Sequence, residues 1–195
     1  MKKVTLFFAV LLTALLTAST IFAQTNWSLD PSHSAVRFSV QHLLVSETEG
    51  RFKKFDLTVN APKAEDFTDA KIDLIVDVKS VDTQDAKRDE HLRTPDWFDA
   101  EKYSQITFKG KSMTKTGEKT YKLSGDLTMH GVTKPMTLDV VHNGTVKSPY
   151  GGTVAGFKLS GVLNRKDFGV GEKTPAAVVG EDIAFVCNIE LNKKG

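Results

Sequence analysis

Apolar side chains recur at every second position along much of residues 36–191, the spacing of extended chain that buries one face only. Val36, Phe38, Val40 and His42 share one face, with Arg37, Ser39 and Gln41 on the other. Ile72, Leu74, Val76 and Val78 repeat the pattern, as do Tyr121, Leu123, Gly125, Leu127 and Met129, and then Ile183, Phe185, Cys187, Ile189 and Leu191. Shorter runs sit at Phe55-Leu57-Val59, Ile106-Phe108, Met136-Leu138-Val140 and Phe157-Leu159-Gly161-Leu163, which brings the candidate strands to eight. Asn60-Ala61-Pro62, Thr116-Gly117, Asn143-Gly144 and the stretch Ser148-Pro149-Tyr150-Gly151-Gly152 read as turns between them. One region, around residues 82–102, reads as helical, capped by Asp82 or Thr83 and broken by Pro95. Eight strands with one apolar face each favour an all-β fold, an eight-stranded antiparallel barrel, because closure removes exposed sheet edges. A filled sandwich is the competing architecture.

Residues 1–23 have a different character. Lys2 and Lys3 precede an apolar run from Val4 to Leu16, and Ile21-Phe22-Ala23 offers a cut before Gln24, the layout of a cleavable signal peptide. A membrane anchor is the alternative, but Thr13, Thr17, Ser19 and Thr20 dilute the apolar stretch. The expectation is a periplasmic or secreted protein with one domain over residues 24–195 and no stable membrane anchor after cleavage. The chain carries 26 Lys and Arg against 24 Asp and Glu; with Lys2 and Lys3 removed the two signs balance. A neutral protein has no electrostatic grip on nucleic acid, so none is expected as a partner. The one cysteine, Cys187, allows no internal disulfide, and stability must come from a core.

Catalytic motifs are weak. Asp167-Phe168-Gly169 stands without the other kinase signatures, and Glu172 interrupts the Gly-Lys pair that a P-loop needs before Lys173-Thr174. His33, His42, His91, His130 and His142 show no metal-binding spacing, and no G-x-S-x-G elbow exists. His42 shares a face with apolar residues, either as a hydrogen-bonded core group or as a polar handle inside a cavity. Two polar clusters stand out: Lys87-Arg88-Asp89-Glu90-His91-Leu92-Arg93, where Arg88 and His91 share a helical face, and Asn164-Arg165-Lys166-Asp167 at a strand end. Each reads as a solvated run of ion pairs or as a binding site for an anionic head group at a barrel mouth.

These clusters and their neighbours resemble the YceI-like family of exported lipid-binding proteins. The matching stretches are Trp27-Ser-Leu-Asp-Pro-Ser-His33-Ser, Phe38-Ser-Val-Gln-His42-Leu and Ser80-Val-Asp-Thr-Gln-Asp-Ala-Lys-Arg88-Asp-Glu-His-Leu92. Trp97-Phe-Asp99, Gly125-Asp-Leu-Thr-Met-His-Gly131-Val-Thr-Lys-Pro135 and Leu163-Asn-Arg-Lys-Asp-Phe-Gly169 follow in the family order. Trp97 stands where the family more often has Phe, and Ser104 where it often has Pro. The resemblance implies a lipocalin-like barrel with an apolar tunnel that binds long amphiphiles without catalysis, typically polyisoprenoids such as prenyl phosphates or quinones. The lipid would be the ligand, and no other cofactor is implied. The expected tail contacts are Phe38, Val40, His42, Val76, Phe98, Phe108, Leu123, Leu127, Phe157, Leu159 and Phe185, unless these side chains fill the core. The expected head-group contacts are Arg88, His91 and Arg165, and no metal ligand is assigned. The rival readings are a metal- or His-assisted hydrolase using His42, His91 or His130, and a filled barrel acting as a protein-interaction module. A homodimer is compatible with either class.

Overall fold

A computed structural model describes residues 24–194, so the leader expected at residues 1–23 lies outside the described residues. The described residues form eleven strands: β1 (Thr25–Leu29), β2 (Ala35–His42), β3 (Ser46–Phe52), β4 (Phe55–Ala61), β5 (Lys71–Asp77), β6 (Val81–Asp82), β7 (Gln105–Lys115), β8 (Thr120–Met129), β9 (Val132–Lys147), β10 (Thr153–Asn164) and β11 (Val179–Lys193). All pairings are antiparallel, and β1 pairs with both β4 and β11, which closes the sheet.

Eleven segments occupy eight strand positions, because three positions are interrupted. β1 and β2 lie end to end along β11, with Leu29 opposite Leu191 and Ala35 opposite Asn188. Next to them β4 pairs with β1 while β3 pairs with β2, and β5 pairs with β4 while β6 pairs with β3. The breaks are sealed by hydrogen bonds. Asp30 folds over Ser32 and His33 in an Asx turn, its Oδ2 lying 3.0 Å from His33 Nδ1. The short 3₁₀ turn Val78–Ser80 presents the Ser80 carbonyl and hydroxyl oxygens to the N–H groups of Lys53 and Lys54, each at 3.0 Å. The periodic signal located one segment of every strand position. β1, β3 and β6 escaped it because Thr-Asn-Trp-Ser-Leu is short, Ser-Glu-Thr-Glu-Gly-Arg-Phe has one large apolar residue and β6 is only two residues long.

Two local expectations are corrected. Helix α1 spans only Ala86–Leu92, and its cap is Asp85, whose carboxylate accepts the N–H groups of Lys87 and Arg88. Asp82 is instead held in strand pairing opposite Arg51, and Thr83 is buried. Asn143-Gly144 is not a hairpin turn but a bulge inside β9: His142 faces Phe157, Gly144 faces Gly156, and Asn143 is the extra residue. The turns at Thr116-Gly117 and Ser148–Gly152 do join neighbouring strands.

Inward positions form one apolar lining, clearest along β8, where Tyr121, Leu123, Leu127 and Met129 are buried. One end of the barrel is stopped by Phe67, which packs on Trp27, Phe157 and His142 with ring centroids 5.5, 4.6 and 5.2 Å away. Burial pushes the His142 pKa down, favouring the neutral ring in this stack. At the opposite end lie α1, the β2–β3 loop and the segment between β10 and β11.

Candidate functional site

The barrel is hollow. A cavity of about 550 Å³ runs through it, within the roughly 300–1,000 Å³ typical of small-molecule sites. All eleven residues expected to contact a lipid tail line this space, Phe38 through Phe185, and so do Arg88, His91 and Arg165. His42 is half-buried on the cavity wall. His130 does not face the cavity; its Nδ1 lies 3.1 Å from the Phe168 carbonyl oxygen, and its ring packs on Tyr103.

A row of four residues explains why the centre stays open. Gly161 in β10, Phe185 in β11, Phe38 in β2 and Gly50 in β3 lie directly opposite one another across four strands. The Phe38 ring lies over Gly50, where a Cβ would come within 2.3 Å of its Cζ, and the Phe185 ring lies over Gly161, where the approach would be 2.6 Å. The two rings therefore lean away from each other onto backbone that lacks side chains. With larger residues at the two glycines, the rings would be forced toward the lumen.

Polar groups gather at one end. Arg88 donates from Nε to Thr83 Oγ1 at 2.7 Å and from Nη2 to the Thr83 carbonyl at 2.6 Å. Thr83 is itself fixed by Asp89, a buried carboxylate that accepts both the Thr83 N–H and its hydroxyl. Nη1 of Arg88 has no protein partner among the described residues, and Arg88 is exposed at the cavity rim. His91, also exposed, packs edge-on against Trp97 at 6.0 Å, and Trp97 lies 5.5 Å from the Arg165 guanidinium carbon. Trp97 thus joins two residues from clusters more than seventy positions apart.

Arg165 differs from the head-group contact expected of it. It is 2% exposed, and all five of its N–H donors go to backbone carbonyls. Nε reaches Gly180 at 2.9 Å, Nη1 reaches Val170 at 3.0 Å and Gly171, and Nη2 reaches Thr174 and Val179, both at 2.9 Å. Burial lowers its pKa. With its donors occupied, Arg165 is a clasp that wraps residues 170–180 around itself. Its neighbours are similarly engaged: Asn164 caps the 3₁₀ turn Arg165–Phe168, Lys166 pairs with Glu181 at 2.8 Å and Asp167 with Lys134 at 2.9 Å. Arg93, from the other cluster, donates to the Lys79 and Val81 carbonyls.

The residues that sequence reasoning missed are Thr83, Trp97, Thr174 and Val178, which complete the lining at the polar end. Cys187 also lines the cavity, and burial pushes its thiol up to about 12, where it packs rather than reacts. The cluster Asp30, His33 and Glu190 has metal-like spacing, but it lies away from the cavity lining and contains none of His42, His91 or His130.

A closed antiparallel barrel with an apolar interior and a few polar groups at one end is a lipocalin-like binding barrel. The chain belongs to the YceI-like family, whose domain matches residues 27–191. A UPF0312 protein of Staphylococcus aureus strain N315 is 34% identical over 173 residues, covering 86% of this chain and 98% of that protein. The crystal structure of a Campylobacter jejuni YceI protein superposes with a TM-score of 0.73 at 33% identity, covering 80% of this chain and 90% of the other. At 18% identity, a polyisoprenoid binding domain from Saccharophagus degradans implicated in plant cell wall breakdown shares the fold at a TM-score of 0.64, covering 86% and 98%.

Proposed function

We propose that this protein binds one long-chain amphiphile of the polyisoprenoid type, without catalysis, outside the cytoplasm after its leader is removed. The observation that carries the proposal is the layout of one cavity: an apolar tube through the barrel, with Arg88 and His91 exposed at its open end. Each CH₂ withdrawn from water contributes about 0.8 kcal/mol, so a long tail supplies most of the affinity. The Saccharophagus domain with the same fold is described as polyisoprenoid binding, which supports the ligand class. A filled barrel working only through its surface is disfavoured by the open interior.

Arg88 and His91 are the groups that would meet a charged head. Arg88 is already held by Thr83, so its remaining donors can form charge-assisted bonds with little loss of side-chain freedom. Arg88→Ala is expected to weaken binding of a prenyl phosphate by roughly tenfold while leaving the corresponding prenyl alcohol within about twofold. Titration of both ligands by tryptophan fluorescence checks this. Equal losses, or none, would remove Arg88 from the head-group site.

A further inference from the structure

The loop between β2 and β3 carries Leu43, Leu44 and Val45, which are 52%, 62% and 84% exposed. Leu43 and Leu44 both have positive φ, at 51° and 60°, and the Val45 N–H closes the turn on the His42 carbonyl at 3.2 Å. Two successive positive φ values are the conformation for which hairpins use Asn-Gly, and bulky aliphatic residues adopt it at a cost. The turn therefore holds two leucines in solvent although both burial and backbone preference favour other residues there. Strain of this kind is retained at working surfaces.

The position of the turn suggests the work. The Leu43 N–H donates to the Val178 carbonyl at 3.0 Å, and Val178, itself 40% exposed, lines the cavity at its open end. Pro175, Ala176 and Ala177 beside it are exposed as well. An apolar tip is thus bonded directly to the rim through which a lipid would pass. Residues 38–50 contain no Lys or Arg but do contain Glu47 and Glu49. Lys166 and Lys173 in the adjoining segment are paired with Glu181 and Asp96. At the same end the exposed Lys87 and Arg88 of α1 are offset by the exposed Glu47, Glu49 and Glu90, so no net positive charge draws the tip to an anionic surface.

From this geometry we infer that the β2–β3 tip inserts into the interface of a zwitterionic lipid bilayer and sets the cavity mouth against it for loading and release. The inference rests on the lipid-binding reading above and extends it to the source of the ligand. Insertion is driven by apolar contact, so it is insensitive to salt and is not strengthened by anionic lipid.

Leu43→Asn with Leu44→Gly removes the apolar tip and installs the residues the turn geometry prefers. Neither leucine lines the cavity. In flotation with phosphatidylcholine vesicles, the wild type is expected to float with the lipid at low and high salt, and the double variant to partition at least roughly tenfold less. The variant should melt no lower than the wild type and bind dansyl-labelled farnesyl phosphate in solution equally well. Equal flotation of the two proteins, or a wild type that stays with the aqueous phase, would overturn membrane docking while leaving the cavity reading intact. A wild type that self-associates through the tip, with the variant monomeric in sedimentation, would likewise overturn it in favour of a second copy as occupant. Failure of both proteins to bind the dansyl probe would instead overturn the lipid-binding reading itself.

Discussion

Arg165→Ala is expected to lower the melting temperature by roughly 8–16 °C, the largest effect of any single substitution near the cavity. Five carbonyls, from Val170, Gly171, Thr174, Val179 and Gly180, converge on this one guanidinium, which is buried with them. A buried acceptor left without its donor costs about 1–3 kcal/mol, and even with water reaching some of the five, a net loss of about 4 kcal/mol follows. Arg165→Lys keeps the charge but offers three donors in place of a planar fork of five, so it should recover less than half of the loss. Calorimetry on the two variants separates a clasp from a ligand contact. A melting temperature within about 2 °C of wild type, together with weakened binding of a prenyl phosphate, would return Arg165 to the head-group site.

The second large effect concerns the open lumen. Gly50→Val with Gly161→Val is expected to reduce lipid affinity by roughly a hundredfold or more, because both aromatic rings lose their seats and swing into the tube. The obstruction would be the far end of a phenyl ring in each case, which moves more readily than backbone. Some stability will be lost as well, so a compensated variant isolates the cause. In Gly50→Val, shortening the opposing ring by Phe38→Leu should restore much of the binding. Unchanged affinity in the double valine variant would show that the Gly-Phe-Phe-Gly row does not govern the volume of the cavity.

The two cases mark how far the sequence could be read. Alternation placed a segment of every strand position and aimed Phe38, Val40, Leu123 and Phe185 at the interior, because side-chain direction in a strand depends only on parity. Whether that interior was full or hollow depended on which residues stand opposite one another in different strands. Gly50 and Gly161 reveal their purpose only beside Phe38 and Phe185, which are 12 and 24 residues away. Arg165 was legible as a rim residue from its place at a strand end, but its partners are main-chain carbonyls, which carry no signature in side-chain pattern. The same holds for Asp85: three acidic or hydroxyl residues compete to cap the helix, and the pairing of Val81 and Asp82 with β3 decides among them. Arg88 and His91 were legible as a pair because helical spacing is local, whereas Trp97, which links His91 to Arg165, was not.

The proposed function requires one long lipid in the cavity. Its most direct test is native mass spectrometry of the chain isolated from its own source without detergent, followed by solvent extraction of the bound material. The expected result is a single added mass per chain that is released by organic solvent and identified as one polyisoprenoid-type amphiphile. A chain that flies bare, or that carries a stoichiometric metal ion and no lipid, would contradict it.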